Sequence, residues 1–575
     1  MIQKGESVNS MRERRDSRMW ILWTVLCPLF YMFVLWHLVP FVYGIVDDRT
    51  MMEVVSGQYL GTPDGHTIFI GYWYSCLLAG LYGLLPGVDW YALGFLALQA
   101  VCMGLILYRL LKGQTGRAAR IGICVLVLLW CALLGLRTVA QLTFTTTAAV
   151  LAVTALFWYR TAEKFRAADL AVLFFLCFLT AEARSVVYYM IAPVCGVFWV
   201  FRFWNDQKAG KQDRGHLLVP LIAGGALLLH LGGFAIGYRS EGWKAYNDYN
   251  DTCTVIFDYD DYMFPRYEDD TELYNEVGIR SKVRAKNLFY YNYTADDQID
   301  MDFFSDYLEL RKEIVKERRD PAARLYQTFR GYVKNVLTGA FGYGHLLALA
   351  GYGALILWYG LKKEWLQALR VCCVYGAQFI LWMYLLYRGR APLRVVICMN
   401  LMLVVALLLL WMEKLRELHL SAKVRAAGAA VMMLLLLAAF AGHVRTVRQE
   451  NLEMQSLNED VEALKEYCAD HPDNFYFNDV VSMAMSSYNV HLWLPEPYEM
   501  NYISLGDWIS FSPAWAQKLE QRGITDVPDA LYRQDNVYLI CSFDRGLEYL
   551  TTMYENVTYT EVDKVAGFGI YQLRR

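Results

Sequence analysis

The chain has 575 residues, 56% of them hydrophobic and 19% charged, with a formal net charge of −3. So much apolar surface excludes a soluble single-domain fold, and the small, segregated charge excludes a nucleic-acid-binding protein. Many windows reach the roughly 20 apolar residues that a bilayer crossing needs, which leaves a polytopic α-helical membrane protein.

Residues 1–18 form a basic cytoplasmic N-terminus, with Arg12, Arg14, Arg15 and Arg18 ahead of the first apolar run, 19–46. That run is too long for a signal-peptide core and lacks a small-residue cleavage site, so it reads as a retained anchor. The positive-inside rule then delivers Asp47 and Asp48 to the outer face. Adjacent carboxylates at a bilayer edge repel each other and lose hydration, which raises the pKa of one and suits it to act as a base or metal ligand. A solvated helix end is the plainer alternative.

The first outer loop spans 47–89. Gly57, Tyr59, Gly61, Pro63, Asp64, Gly65 and His66 make a turn-rich segment suited to lie over a membrane-surface site. His66 is a candidate phosphate or metal ligand, with an interfacial polar role as the alternative. Residues 68–85 are short, broken by Gly71, Gly80 and Gly83, and rich in interfacial aromatics (Tyr72, Trp73, Tyr74). A full crossing there would put Lys112, Arg117 and Arg120 outside, so the segment reads as a re-entrant or outer-surface helix.

Further crossings are expected at 90–111, 121–136, 139–158, 169–182, 186–203, 216–237, 345–361, 366–387, 393–412 and 425–442. With the first run they make about eleven spans in a transmembrane domain, 19–443. This arrangement keeps Arg160, Lys164, Arg166, Arg202, Lys208, Lys211, Arg214, Lys362, Lys363, Lys414, Arg416, Lys423 and Arg425 inside. A large outer loop, 238–335, mixes aromatic and acidic residues and becomes helical near 307–319. Residues 444–575 read as a small extracytoplasmic α/β domain. An amphipathic helix at 451–467 opens it, followed by strands at 474–478 and 537–541 and helices near 514–522 and 547–556. Most of the 13 cysteines sit in apolar runs as small hydrophobes. Cys468 and Cys541 could form a bridge in the outer domain or remain two buried thiols.

Arginines on the outer side oppose the charge rule. Arg184, with Glu182 two residues before it, sits in the turn after the fifth crossing, and Arg388, Arg390 and Arg394 flank the turn Tyr387-Arg388-Gly389-Arg390-Ala391-Pro392. Arg137, beside Thr138 and Gln141, is placed similarly. Guanidinium groups make paired hydrogen bonds to phosphate, poorly screened at a bilayer surface, so these residues are candidate phosphate ligands. Pairing with acidic loops or general lipid headgroups is the alternative. Thr143, Thr145, Thr146 and Thr147, at the start of an inward crossing, are expected to pack and bond locally. No Gly-rich phosphate loop is present.

Several features together resemble the GT-C glycosyltransferases: Val46-Asp47-Asp48-Arg49 after the first crossing, a long first outer loop with a partly inserted helix, Tyr108-Arg109 with Lys112 ending the next crossing, and a terminal outer α/β domain. That superfamily includes protein O-mannosyltransferases, the aminoarabinose transferase of lipid A and oligosaccharyltransferases. The segments Gln141-Leu142-Thr143-Phe144-Thr145-Thr146 and Asn501 to Trp508 are similar to stretches of uncharacterised bacterial members. The likeness is architectural over the whole chain and at motif level over residues 19–160.

The resemblance implies a GT-C-like fold and a sugar donor linked to polyprenyl phosphate, with transfer outside the membrane to an envelope glycan, lipid or protein. Carried over by position, Asp47 is the general base, Asp48 orients it or binds a metal, and Arg388 and Arg390 face the leaving phosphate. Direct attack inverts the anomeric centre. The family often shows Asp-Glu or Asp-x-Asp where this chain has Asp-Asp-Arg, so the choice of base and the need for a divalent cation stay open. Two rival readings are a transporter or flippase of lipid-linked sugars and an O-antigen-type polymerase or ligase. The first would bury charges at the midplane and carry inverted repeats, and the second relies on arginines and histidine without an early acidic pair.

Overall fold

The computed structural model describes residues 2–114, 116–210, 213–318, 320–417, 421–484, 486–494, 499–542 and 544–575. Lys211 lies outside them, and so do the side chains of Arg12, Arg14, Arg15, Arg18, Arg416 and Arg425.

Helix α1 (Ile2–Leu38) carries the first apolar run but stops eight residues short of the expected end. Pro40 cannot continue a helix and pushes Val39 out of the helical region. The chain then extends as β1 (Val42–Tyr43) and re-enters a helix, α2 (Val46–Ser56), in whose first turn Asp47 and Asp48 lie. The expected uninterrupted helix over 19–46 is thus corrected. The segment expected to be re-entrant is α3 (Tyr72–Leu84), too short to span, lying against α2 and α9.

The long apolar rods follow: α4 (Trp90–Leu111), α5 (Arg117–Leu134), α7 (Phe144–Thr161), α8 (Ala167–Lys208) and α9 (Arg214–Gly237). A short α6 (Leu136–Ala140) and β2 (Gln141–Leu142) separate α5 from α7. Nine helices among the described residues are long and apolar enough to cross a membrane, and the chain is a multi-pass membrane protein. One of the nine, α8, doubles back at Arg184, whose backbone is extended (φ −164°, ψ 106°). Leu173 and Trp199, on its two halves, line one apolar cavity with Tyr159 of α7. α7 has almost no exposed face and sits centrally between α4, α8 and α17. With α7 and the second half of α8, the rods match the expected count of about eleven spans.

Helices α10 (Glu241–Asp258), α11 (Thr271–Glu276), α12 (Lys282–Phe289), α13 (Met301–Arg318) and α14 (Pro321–Leu337) form the large loop between the rods. The bundle resumes with α15 (Tyr343–Leu361), α16 (Trp365–Tyr387) and α17 (Leu393–Glu417). Leu29, Phe30, Phe33, Leu221, Leu228, Leu434 and Leu435 are exposed on outward faces, as lipid-facing surfaces require. At the end of the bundle remote from Asp47, Arg109 pairs with Asp169 at 2.5 Å, and Arg160 and Arg370 share Glu413.

The last rod, α18 (Ala422–Asp470), runs 49 residues without a break and absorbs the separate amphipathic helix expected at 451–467. It enters a five-stranded sheet in the order β4-β3-β5-β7-β6. Here β3 is Phe475–Asn478, β4 Tyr502–Ser504, β5 Val537–Cys541, β6 Thr558–Val565 and β7 Phe568–Arg574. The first three of the sheet are parallel; β7 is antiparallel to β5 and β6. Helices α19 (Val480–Ala484), α20 (Pro513–Gln521), α21 (Val527–Arg533) and α22 (Asp544–Thr552) complete this part. Cys468 and Cys541 are both buried and form no disulfide.

Candidate active site

Two residues of parallel pairing start the site. β1 matches β2 with Val42 opposite Gln141 and Tyr43 opposite Leu142, and Gly44 donates to Leu142 O at 2.9 Å. A Cβ on Gly44 would meet Thr143 Cγ2 at 2.6 Å, so glycine permits this close approach. The pairing brings the start of α2 against the start of α7, where Thr143 caps the helix by accepting from Thr146 N at 3.0 Å. Local bonding was the expectation for these threonines.

The two aspartates then part ways. Asp48 is fully buried, and its Oδ1 accepts from Tyr91 Oη at 2.7 Å and Phe144 N at 3.0 Å, which fastens α2 to α4 and α7. Burial raises its pKa well above the usual carboxylate range, against the two hydrogen bonds. Asp47 opens instead into a cavity of about 380 Å³. Burial raises its pKa as well, and Arg394, Arg184 and Arg390 pull it down while Asp258 pushes it up.

Arg184, Arg390 and Arg394 line this cavity with Asp47. The break in α8 frees Arg184 from its helix, and its guanidinium rests 5.0 Å from the Phe69 ring centroid and 5.2 Å from that of Phe144. Arg390 Nη2 bonds Asp258 Oδ2 at 2.5 Å, and burial raises the pKa of Asp258 against the nearby arginines. Gly389 has φ +73°, and a Cβ there would collide with the Asp260 carboxylate. The residues that end α10 therefore hold the arginine turn. Arg388 is turned away from the cavity, stacked on Tyr259 at 4.0 Å.

Three other candidates are not brought to the cavity. Arg137 forms a two-point pair with Glu450 (2.5 and 2.9 Å) and bonds Gln141, so it anchors α18 to β2. Glu182 is fully buried, accepts from Tyr74 N and contacts His230 Nδ1, each at 2.8 Å, and so pins the first turn of α3 beside the α8 break. His66 stacks on Trp243 at 4.6 Å and places its ring nitrogens against Asp64 Oδ1 (2.5 Å) and Gly237 O (3.1 Å). Two acceptors require two donors, which favours the imidazolium. The Asp64 and Gly237 bonds raise the His66 pKa against its desolvation. All three hold the wall in place: their polar atoms are already committed.

The structure adds wall residues that the sequence reading did not single out. Arg49 and Thr50, two and three residues beyond Asp47, line the cavity as well. Tyr249, Phe257, Tyr291 and Tyr293 supply an aromatic side from the large outer loop. Asp507 and Trp508 come from the loop after β4, with Trp508 5.0 Å from Phe69. Asp507 Oδ1 accepts from the backbone of Ile509 and Ser510, and burial pushes its pKa up to about 6. Only the aromatic enrichment of the outer loop and the Asn501 to Trp508 segment hinted at this wall in the sequence.

A two-aspartate metal site does not fit these residues, because Asp48 turns its carboxylate out of the cavity. Among the described residues no three His, Cys, Asp or Glu side chains gather around one point. Cationic charge at the site comes from guanidinium groups. The cavity can hold an anion among Arg184, Arg390 and Arg394, present a carboxylate next to it and stack a ring on aromatic faces.

No protein-family model matches the chain, and no curated protein matches it. Among solved structures it is similar to a crystal structure of ArnT from Cupriavidus metallidurans bound to undecaprenyl phosphate, with 12% identity and a TM-score of 0.38. The alignment covers 96% of this chain and 97% of that one.

Proposed function

We propose that this chain is a GT-C-type membrane glycosyltransferase that moves a sugar from a polyprenyl-phosphate carrier to a hydroxyl of a cell-envelope glycan, lipid or protein. The observation that carries the reading is that Asp47 opens into the same cavity as Arg184, Arg390 and Arg394. Asp47 accepts the proton of the acceptor hydroxyl as its oxygen attacks the anomeric carbon. The bond from that carbon to the phosphate oxygen breaks, and its electron pair leaves with the lipid phosphate. The three guanidinium groups, of which Arg390 is held by Asp258 and Arg184 rests against the Phe69 and Phe144 rings, meet the growing negative charge. Attack opposite the leaving group inverts the anomeric centre. The basic residues at the remote end of the bundle support an extracytoplasmic site by the positive-inside rule.

The test uses the full chain in lipid nanodiscs with polyprenyl-phosphate-linked radiolabelled hexoses, and envelope material from cells lacking the protein as acceptor. Label should pass to the acceptor with release of polyprenyl phosphate. The triple variant R184Q, R390Q, R394Q should lose carrier binding. Unchanged carrier binding in that variant would refute the reading.

A further inference from the structure

Arg49 stands in the cavity wall only 6% exposed. The cations that act most on Asp47 are Arg394, Arg184 and Arg390, whereas Arg49 acts on Asp507. Glu53 Oε1 lies 3.9 Å from the Arg49 Nε, beyond hydrogen-bond reach, and already receives Lys465 Nζ at 2.6 Å. Nε and Nη1 of Arg49 are sealed from water and meet no acceptor. In the same wall the Trp508 indole nitrogen is also buried without an acceptor. Asp507 is a partial counter-ion: three of its neighbours' donors already occupy one carboxylate oxygen, and burial pushes its pKa up to about 6.

Glu53 balances the Arg49 charge in part but leaves two buried N–H groups without an acceptor, a cost that is relieved when a bound molecule brings an anionic oxygen to them. Phosphate of the lipid carrier is already provided for at the other pole, by three arginines. We infer that Arg49 and the Trp508 indole receive a second anionic group, a carboxylate or phosphate substituent on one of the two sugars that meet in the cavity. The inference rests on the transferase reading and narrows its substrates to those that include an acidic sugar. Trp508 supplies both a ring face for stacking and a donor at its edge, and the short α2 segment joins this pole to the base, Asp47.

Equilibrium binding to the full chain in nanodiscs tests it in two arms. The donor arm compares polyprenyl-phosphate-glucose with polyprenyl-phosphate-glucuronic acid. The acceptor arm, with polyprenyl phosphate present, compares oligosaccharides ending in glucose with those ending in glucuronic acid. Wild type should favour the acidic ligand about tenfold or more in one arm, which identifies the sugar that bears the charge. R49Q should bring that ratio near one, and R49K, which keeps charge without the planar fork, should fall between. A wild-type ratio near one in both arms overturns the inference and leaves the transferase reading intact. A preference that survives in R49Q overturns it too. Failure of wild type to bind any polyprenyl phosphate would instead remove the transferase reading, and this inference with it.

Discussion

Asp48 uses its carboxylate to hold α2 against α4 and α7, whereas Asp47, one residue earlier, opens into the cavity. Asn at position 48 keeps a neutral acceptor for Tyr91 and Phe144, so D48N should retain transfer within about tenfold of wild type. D47N removes the proton acceptor and should lower kcat about 100-fold or more while the thermal unfolding of the protein stays close to wild type. Steady-state transfer assays on both variants check this, and equal loss in the two would reverse the assignment. The raised pKa of Asp47 also sets a direction. Its basic form disappears as pH falls through a value above the ordinary 3.8, so activity should show an acid limb higher than a free aspartate would give, and D47N should abolish that limb. At this scale the sequence made the aspartate pair, Arg184, Arg390 and Arg394 visible, because charges beside lipid are expensive and stand out. It could not separate Asp47 from Asp48, nor drop Arg137 and Glu182, since their partners Glu450 and His230 are far away in sequence.

The helices that cross the membrane were legible from hydropathy, down to the break at Arg184 that splits α8 into two crossings. The end of α1 was not, although Pro40 marked it, because a 28-residue apolar run outweighed a local stop signal and the β1 to β2 pairing joins residues about 100 positions apart. The arginine turn between α16 and α17 depends on another long-range contact, the close of α10. Gly389 needs its positive φ and has no room for a Cβ beside Asp260. G389A should therefore displace Arg390 from Asp258 at a cost of about 1 kcal/mol or more, which corresponds to about fivefold to tenfold weaker binding of polyprenyl phosphate. The same substitution at Gly353, which has open space around it, is the control and should leave carrier affinity unchanged.

Over the whole molecule, the cavity is assembled from residues scattered between Val46 and Trp508, and buried bonds join the distant parts of the chain that carry them. Lys465 bonds Glu53 at 2.6 Å, Asn451 donates to Pro40 O and Ala140 O, and Lys518 Nζ donates to Tyr59 O at 2.5 Å and also to Met500 O. Burial lowers the Lys518 pKa from 10.5 to about 7. A neutral amine has two hydrogens for these two carbonyls. The unfolded chain binds the extra proton between pH 7 and 10.5, so this group makes stability rise with pH across that window and fall as pH drops toward 7. Thermal unfolding in nanodiscs should show that slope, and K518M should flatten it and lower stability by about 1–3 kcal/mol through two unpaired carbonyls. The five-stranded sheet was only half visible in sequence: β3 and β5 read as apolar runs, while β6, with its exposed and largely polar face, gave no apolar signal.

Helix α18 carries one more implication. At 1.5 Å per residue its 49 residues form a rod about 73 Å long, with no proline, whose first half carries an apolar span and whose far end leads through β3 to Val480 and Met483 of the cavity wall. Such a rod works as a lever. A tilt imposed on its membrane half by a thicker or thinner bilayer would carry the other half and the sheet attached to it, so bilayer thickness should alter the width of the cavity.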